Sequence, residues 1–100
     1  MELWFLPEAE ADVAAAADWY RMREAALEPR FLAALGECLT HVREAPEAHP
    51  RVHGRIRRAL LRRFPYAVFF LEGERSVLVL ACFHAARDPQ AWRRRIGSDP

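Results

Sequence analysis

The chain changes its hydrophobic period once, and two prolines mark the change. Up to Val42 apolar residues recur at helical spacing; beyond Arg55 they run at the spacing of strands, with Pro46 and Pro50 in between. Proline lacks the N–H that a helix interior needs, and its ring collides with the preceding turn, so no helix crosses this point. One hundred residues supply one core, hence one domain over residues 1–100. A helical half must therefore pack on a sheet half, which is the α+β class.

The elements follow from local pattern. Glu2 to Leu6, with Leu3, Trp4 and Phe5, reads as a short N-terminal strand. Pro7 suits the first position of a helix, and Glu8, Glu10 and Asp12 favour its positive end. Ala9, Val13, Ala16 and Tyr20 share one face of that helix, whose alanines permit close approach of a second. The second helix begins near Pro29 and aligns Leu32, Leu35, Leu39 and Val42; the two form a helical hairpin joined around Ala26 to Glu28. Arg57 to Phe64 reads as a strand, Pro65 as a bend and Tyr66 to Leu71 as the next strand. After a turn at residues 72–75 comes Ser76 to His84, apolar on both faces and so an interior strand of a three-stranded antiparallel meander. Asp88 as cap and Pro89 at the first position predict a short C-terminal helix over Gln90 to Ile96.

Charge is polarised along the chain although its net value is only +1. Residues 1–50 carry ten acids against four arginines, a balance of −6; residues 51–100 carry four against eleven, a balance of +7. The second half therefore offers a positive field to phosphate or to an acidic protein. There is no lysine, so every strong cation is a planar fork suited to bidentate contacts. A genome rich in G and C gives the same bias. The longest run without a formal charge, Ser76 to Ala86, is far below the roughly 20 residues of a membrane helix, so no membrane partner is expected. Glu2 stands where an export signal would be positive, and Cys38 and Cys82 form no redox motif; both features fit a cytoplasmic protein.

Several blocks recur in a recognisable order. Pro7-Glu8-Ala9 follows the first strand, Trp19-Tyr20 lies in the first helix, and Arg30-Phe31-Leu32 opens the second. Arg63-Phe64-Pro65-Tyr66-x-Val68 comes next, then His84, Arg87-x-Pro89 and Trp92. Each is weak alone, but together they resemble the RelE/ParE toxin superfamily, nearer its ParE branch. The resemblance covers nearly the whole chain. It implies the toxin half of a bacterial type II toxin–antitoxin pair, neutralised by a small cognate antitoxin. It also leaves two activities, since RelE-like members cut mRNA on the ribosome whereas ParE-like members poison DNA gyrase.

RNA cleavage needs a base, an acid and charge stabilisation at phosphate. His84, Arg87, Arg63 and Tyr66 are the candidates for a nuclease site. Yet Ala67 stands where similar nucleases place an arginine, and Ala85 and Ala86 stand where an aromatic is expected. These departures favour a gyrase-binding toxin over an enzyme, with mRNA cleavage as the alternative and a basic nucleic-acid-binding module below both. For a binding toxin, Arg57, Arg63, Arg87, Trp92, Arg93 and Arg94 are the target-binding candidates. Trp19, Tyr20, Arg58 and Arg62 are those for the antitoxin. The plainer roles stand beside these: His84 as a strand-end histidine, Trp92 as packing and Arg93 to Arg95 as a solvated face. Adjacent on a helix, Trp19 and Tyr20 point apart, so one belongs to the core. Alternation would put Arg57, Arg58, Arg62 and Arg63 on both sheet faces. Cys38, His41, His49 and His53 have ligand-type spacing, but one thiolate and two stiffening prolines make a poor zinc site. No metal and no cofactor are expected.

Overall fold

The computed structural model describes residues 1–87 and 89–96; the side chains of Pro89, Trp92 and Ile96 are outside that description. In order, the elements are β1 (Glu2–Phe5), α1 (Pro7–Arg23), α2 (Leu27–Glu44), β2 (Arg51–His53), β3 (Ile56–Leu60), β4 (Tyr66–Glu72), β5 (Ser76–His84) and α3 (Pro89–Ile96). The expected Asp88 cap lies outside the described residues.

The strands form one sheet in the order β1-β5-β4-β3-β2. The meander is antiparallel as expected, and β1 adds in parallel to the free side of β5. β5 is thus interior, consistent with its lack of polar alternation. The helix hairpin covers one face. Ala9, Ala16 and Ala17 of α1 and Phe31, Leu35, Cys38 and Val42 of α2 pack there on Ala59, Val68, Phe70, Val77, Val79 and Cys82. The other face gathers Ile56, Ala67, Phe69, Leu80, Ala81 and Phe83. Between Phe69 and Phe70 the register slips, so that Phe69 faces Ala81 and Phe70 faces Val79. Leu80 is the extra residue of a bulge, which lets adjacent Leu80 and Ala81 join the same cluster.

Four expectations need correction. Arg51–His53 forms an edge strand that the sequence reading missed, because three residues after a proline carry no visible alternation. β3 ends at Leu60 instead of running to Phe64, and Arg63 sits at φ 70°, outside any strand geometry. Only Arg57 and Arg58 of the four arginines therefore alternate on a strand. α2 starts at Leu27, with Pro29 in the first turn where no N–H is required, so the hairpin joint is residues 24–26. Its buried stripe is Phe31, Leu35, Cys38 and Val42, whereas Leu32 is 43% exposed.

Candidate functional site

Tyr20 is the hub. It is 8% exposed while its neighbour Trp19 is 50% exposed, so one ring belongs to the core and the other to the surface, although the two meet edge-on at 5.1 Å. The Tyr20 ring stacks on Phe31 at 5.2 Å and meets Phe64 edge-on at 5.0 Å and Tyr66 at 6.0 Å. These contacts hold the β3–β4 loop against the hairpin. Leu61 N–H donates to the Tyr66 carbonyl and Tyr66 N–H to that of Phe64, closing the loop at its base. The left-handed Arg63 makes this turn possible within five residues.

Two hollows open on either side of that loop. The first, about 650 Å³, lies between α2 and the loop, with Leu27, Ala34 and Phe64 as apolar floor and Arg30, Arg62 and Arg63 at its rim. The second, about 560 Å³, lies between α1 and the loop and β5, bounded by Trp19, Tyr66, Phe83, His84 and Arg87. Tyr20 and Pro65 line both, so they are two limbs of one trough with aromatic walls and cationic ends. The Arg62–Glu37 pair in the first limb is 4.0 Å long and well exposed, which leaves the guanidinium easily diverted.

The geometry divides the candidate nuclease residues. His84, Tyr66 and Arg87 share the second limb; Arg63 belongs to the first. The His84 ring lies edge-on to Tyr66 at 5.3 Å, and its Nδ1 accepts the Ala86 N–H at 3.0 Å. Neutral His84 therefore carries its proton on Nε2. Arg87 lies over the Phe83 ring, 4.2 Å from its centroid. Burial, followed by the nearby Cys82, pushes the Tyr66 hydroxyl above its ordinary pKa. Burial, followed by Tyr66, does the same to Tyr20. Neither phenol is activated as a proton acceptor.

The remaining candidates separate as well. Arg57, grouped in sequence with target-binding arginines, is turned inward and 13% exposed: its Nη1 donates to the His49 carbonyl at 2.6 Å and its Nε faces Glu72 at 3.5 Å. Arg58, grouped with Trp19 and Arg62, instead borders a small hollow with His84 and Arg87. Arg93 and Arg94 are exposed on α3, and the Trp92 side chain is outside the described residues. Cys38, His41 and His49 do approach one another, but among the described residues no group of three or more His, Cys, Asp or Glu is placed to hold a metal. Burial pushes the Cys38 thiol up to about 11, and that of Cys82 to about 12.

One constellation escaped the sequence reading. Asp12 accepts two bonds from Arg95, each 2.9 Å, and a third from the Cys82 N–H at 3.0 Å. β1 stops beside Val79, so the Cys82 N–H beyond it has no strand partner, and the carboxylate takes that place. Asp12 looked like a helix-dipole acid and Arg95 like one of three surface arginines; no spacing rule links residues 83 positions apart.

Among the described residues no helix is long and apolar enough to cross a membrane. No curated protein matches the sequence. Among solved structures, a chain of a chromosomal ParDE toxin–antitoxin system from P. aeruginosa is similar, with a TM-score of 0.74 at 18% identity. The match covers 84% of this chain and 95% of that one; at such identity it speaks for the fold. The family described as the ParE toxin of type II toxin–antitoxin systems, parDE, matches residues 3–89. Since that match takes in the whole helix hairpin, β2 to β5 and all but the first residue of β1, the chain belongs to the ParE toxin family of type II toxin–antitoxin systems.

Proposed function

We propose that this chain arrests growth by binding DNA gyrase, without cutting RNA, and that a cognate antitoxin neutralises it by occupying the trough. One observation carries the choice: the four nuclease candidates do not all converge, because Arg63 lies apart from His84, Tyr66 and Arg87. His84 has one nitrogen committed to the Ala86 N–H, Arg63 lies in the other limb, and burial moves both phenols above their ordinary pKa, away from use as a base. A phosphoryl-transfer site needs its base, acid and cationic clamp around one reacting phosphate. What the surface offers instead is an apolar trough ending in guanidiniums. That form suits an acidic, partly apolar segment that orders on binding. Trp19, Tyr20 and Arg62, with Arg30 and Arg63, are the antitoxin contacts in this reading, and both encounters take place in the cytoplasm.

The test sets purified protein against gyrase with relaxed plasmid, and in parallel against ribosomes with mRNA. Loss of supercoiling, or trapped cleaved DNA, reversed by the antitoxin encoded beside the toxin, is expected. Codon-spaced mRNA cuts that disappear in His84→Ala would replace this reading with the nuclease one.

A further inference from the structure

One carboxylate interrupts the cationic end of the trough. Ala33, Ala34 and Glu37 lie three, four and seven residues on from Arg30 along α2, so a single stripe of the helix faces the first limb. Across from that stripe stand Arg62 and Arg63 of the β3–β4 loop. Among the described residues that line the limb Glu37 is the sole acid, and it reaches over to Arg62 at 4.0 Å. Glu28, in the first turn of the same helix, is engaged elsewhere, 3.7 Å from Arg21 of α1. Neither Arg30 nor Arg63 has a carboxylate partner among the described residues. The Arg62–Glu37 pair also borders the small hollow of Cys38, His41 and His49, so it marks the end of the limb.

We infer that the first limb is a carboxylate-binding subsite and that Glu37 is its internal occupant, which an acidic peptide segment must displace from Arg62. The chain itself shows which group fits, because a carboxylate on a flexible side chain already meets a guanidinium there. Each guanidinium offers five donors, so three forks at one rim far exceed what the two oxygens of Glu37 can accept. The floor of Leu27, Ala34 and Phe64 beside them suits aliphatic neighbours of the incoming acid. The internal pair is well exposed, 76% at Arg62 and 62% at Glu37, and so is weak; Glu37 lowers affinity without blocking the limb. This residue thus sets how tightly the limb holds its partner. The inference rests on the antitoxin reading for the identity of the segment, and adds where its acid sits and what that acid displaces.

Fluorescence anisotropy follows a labelled oligoglutamate peptide binding to the full chain at about 50 mM salt, where screening is weak. Wild type is expected to bind it, and Glu37→Gln should tighten binding about two- to fivefold, the span open to an exposed pair. Glu44→Gln removes the same charge from the same helix outside the limb and should change affinity by less than about twofold. Arg62→Gln should weaken binding, and in that background the gain from Glu37→Gln should shrink by about half or more. All three side chains are exposed, so the variants keep the fold. Absence of oligoglutamate binding overturns the inference. So does an equal gain from Glu37→Gln and Glu44→Gln, which is an effect of net charge, or a gain undiminished by Arg62→Gln, which means Glu37 does not act through Arg62. Tighter capture of an oligonucleotide of equal charge makes the limb a phosphate surface and overturns it too. The antitoxin encoded beside the toxin is then added as competitor, so that the two readings fail separately. Its binding without any response to Glu37→Gln ends the inference and leaves the trough reading. A peptide that responds to Glu37→Gln as expected, yet is not displaced by the antitoxin, ends the trough reading and leaves the subsite to another acidic partner.

Discussion

Replacing Asp12 should damage the fold more than replacing the arginine it holds. Asp12 is 12% exposed and Arg95 26%. Removing the carboxylate in Asp12→Ala strands the N–H of Cys82, a residue only 3% exposed, at a cost of about 1–3 kcal/mol. The lost charge-assisted pair adds about 1 kcal/mol, discounted because Arg95 can turn toward water. The expected total is about 3 kcal/mol, or roughly 12–24 °C in Tm at 4–8 °C per kcal/mol for a domain of this size. Arg95→Ala leaves Asp12 on Cys82 and forfeits only the pair and the contact with Phe83, about 1 kcal/mol. Asp12→Asn keeps an acceptor for the N–H and should fall between them. Urea unfolding of both alanine variants and their double mutant closes a cycle, in which the double should be little worse than Asp12→Ala. If Arg95→Ala costs as much as Asp12→Ala, or the two simply add, then Asp12 does not cap the open side of β5.

Three further outcomes follow from the same geometry. Phe31→Ala, which empties a fully buried site touching Tyr20, Phe64 and Tyr66, should cost about 3–5 kcal/mol by urea unfolding and loosen the trough floor; a loss under 1 kcal/mol would mean the aromatic cluster collapses to fill the space. Arg63→Gly removes a side chain at φ 70°, so Tm should hold or rise slightly while affinity for the antitoxin falls; an unaltered affinity would take Arg63 out of the trough's function. Both thiols titrate higher in the folded chain than their ordinary 9.0, so the stability they contribute is complete below pH 9 and is lost as pH climbs toward 11 and 12. Unfolding free energy measured from pH 8 to 11 should therefore decline from about pH 9, and a flat profile would contradict the burial of Cys38 and Cys82.

Much of the architecture was legible because its physics is local. The alanine face of α1, the stop at Pro46 and the two-sided apolar run of β5 each follow from a few consecutive residues, and each element stands where those residues put it. The first errors arose where a tertiary contact overrides local pattern. Leu61, Arg62, Arg63 and Phe64 look like a continuation of β3, yet Phe64 is drawn onto Tyr20 and Phe31 and the chain leaves the sheet. That departure decides the arrangement of the site. Had the strand continued, Arg62 and Arg63 would have stayed on the sheet. The turn at Arg63 instead carries both to the hairpin side, away from His84 and Arg87. Arg57 and Arg58 separate for a simpler reason: neighbours on a strand face opposite ways, so one is drawn to Glu72 while the other reaches the outer hollow. A block of four arginines that reads as a single patch thus serves three places in the fold. The dispersal bears directly on the proposed function, because a cleavage site built on this block would require those cations to converge on one phosphate.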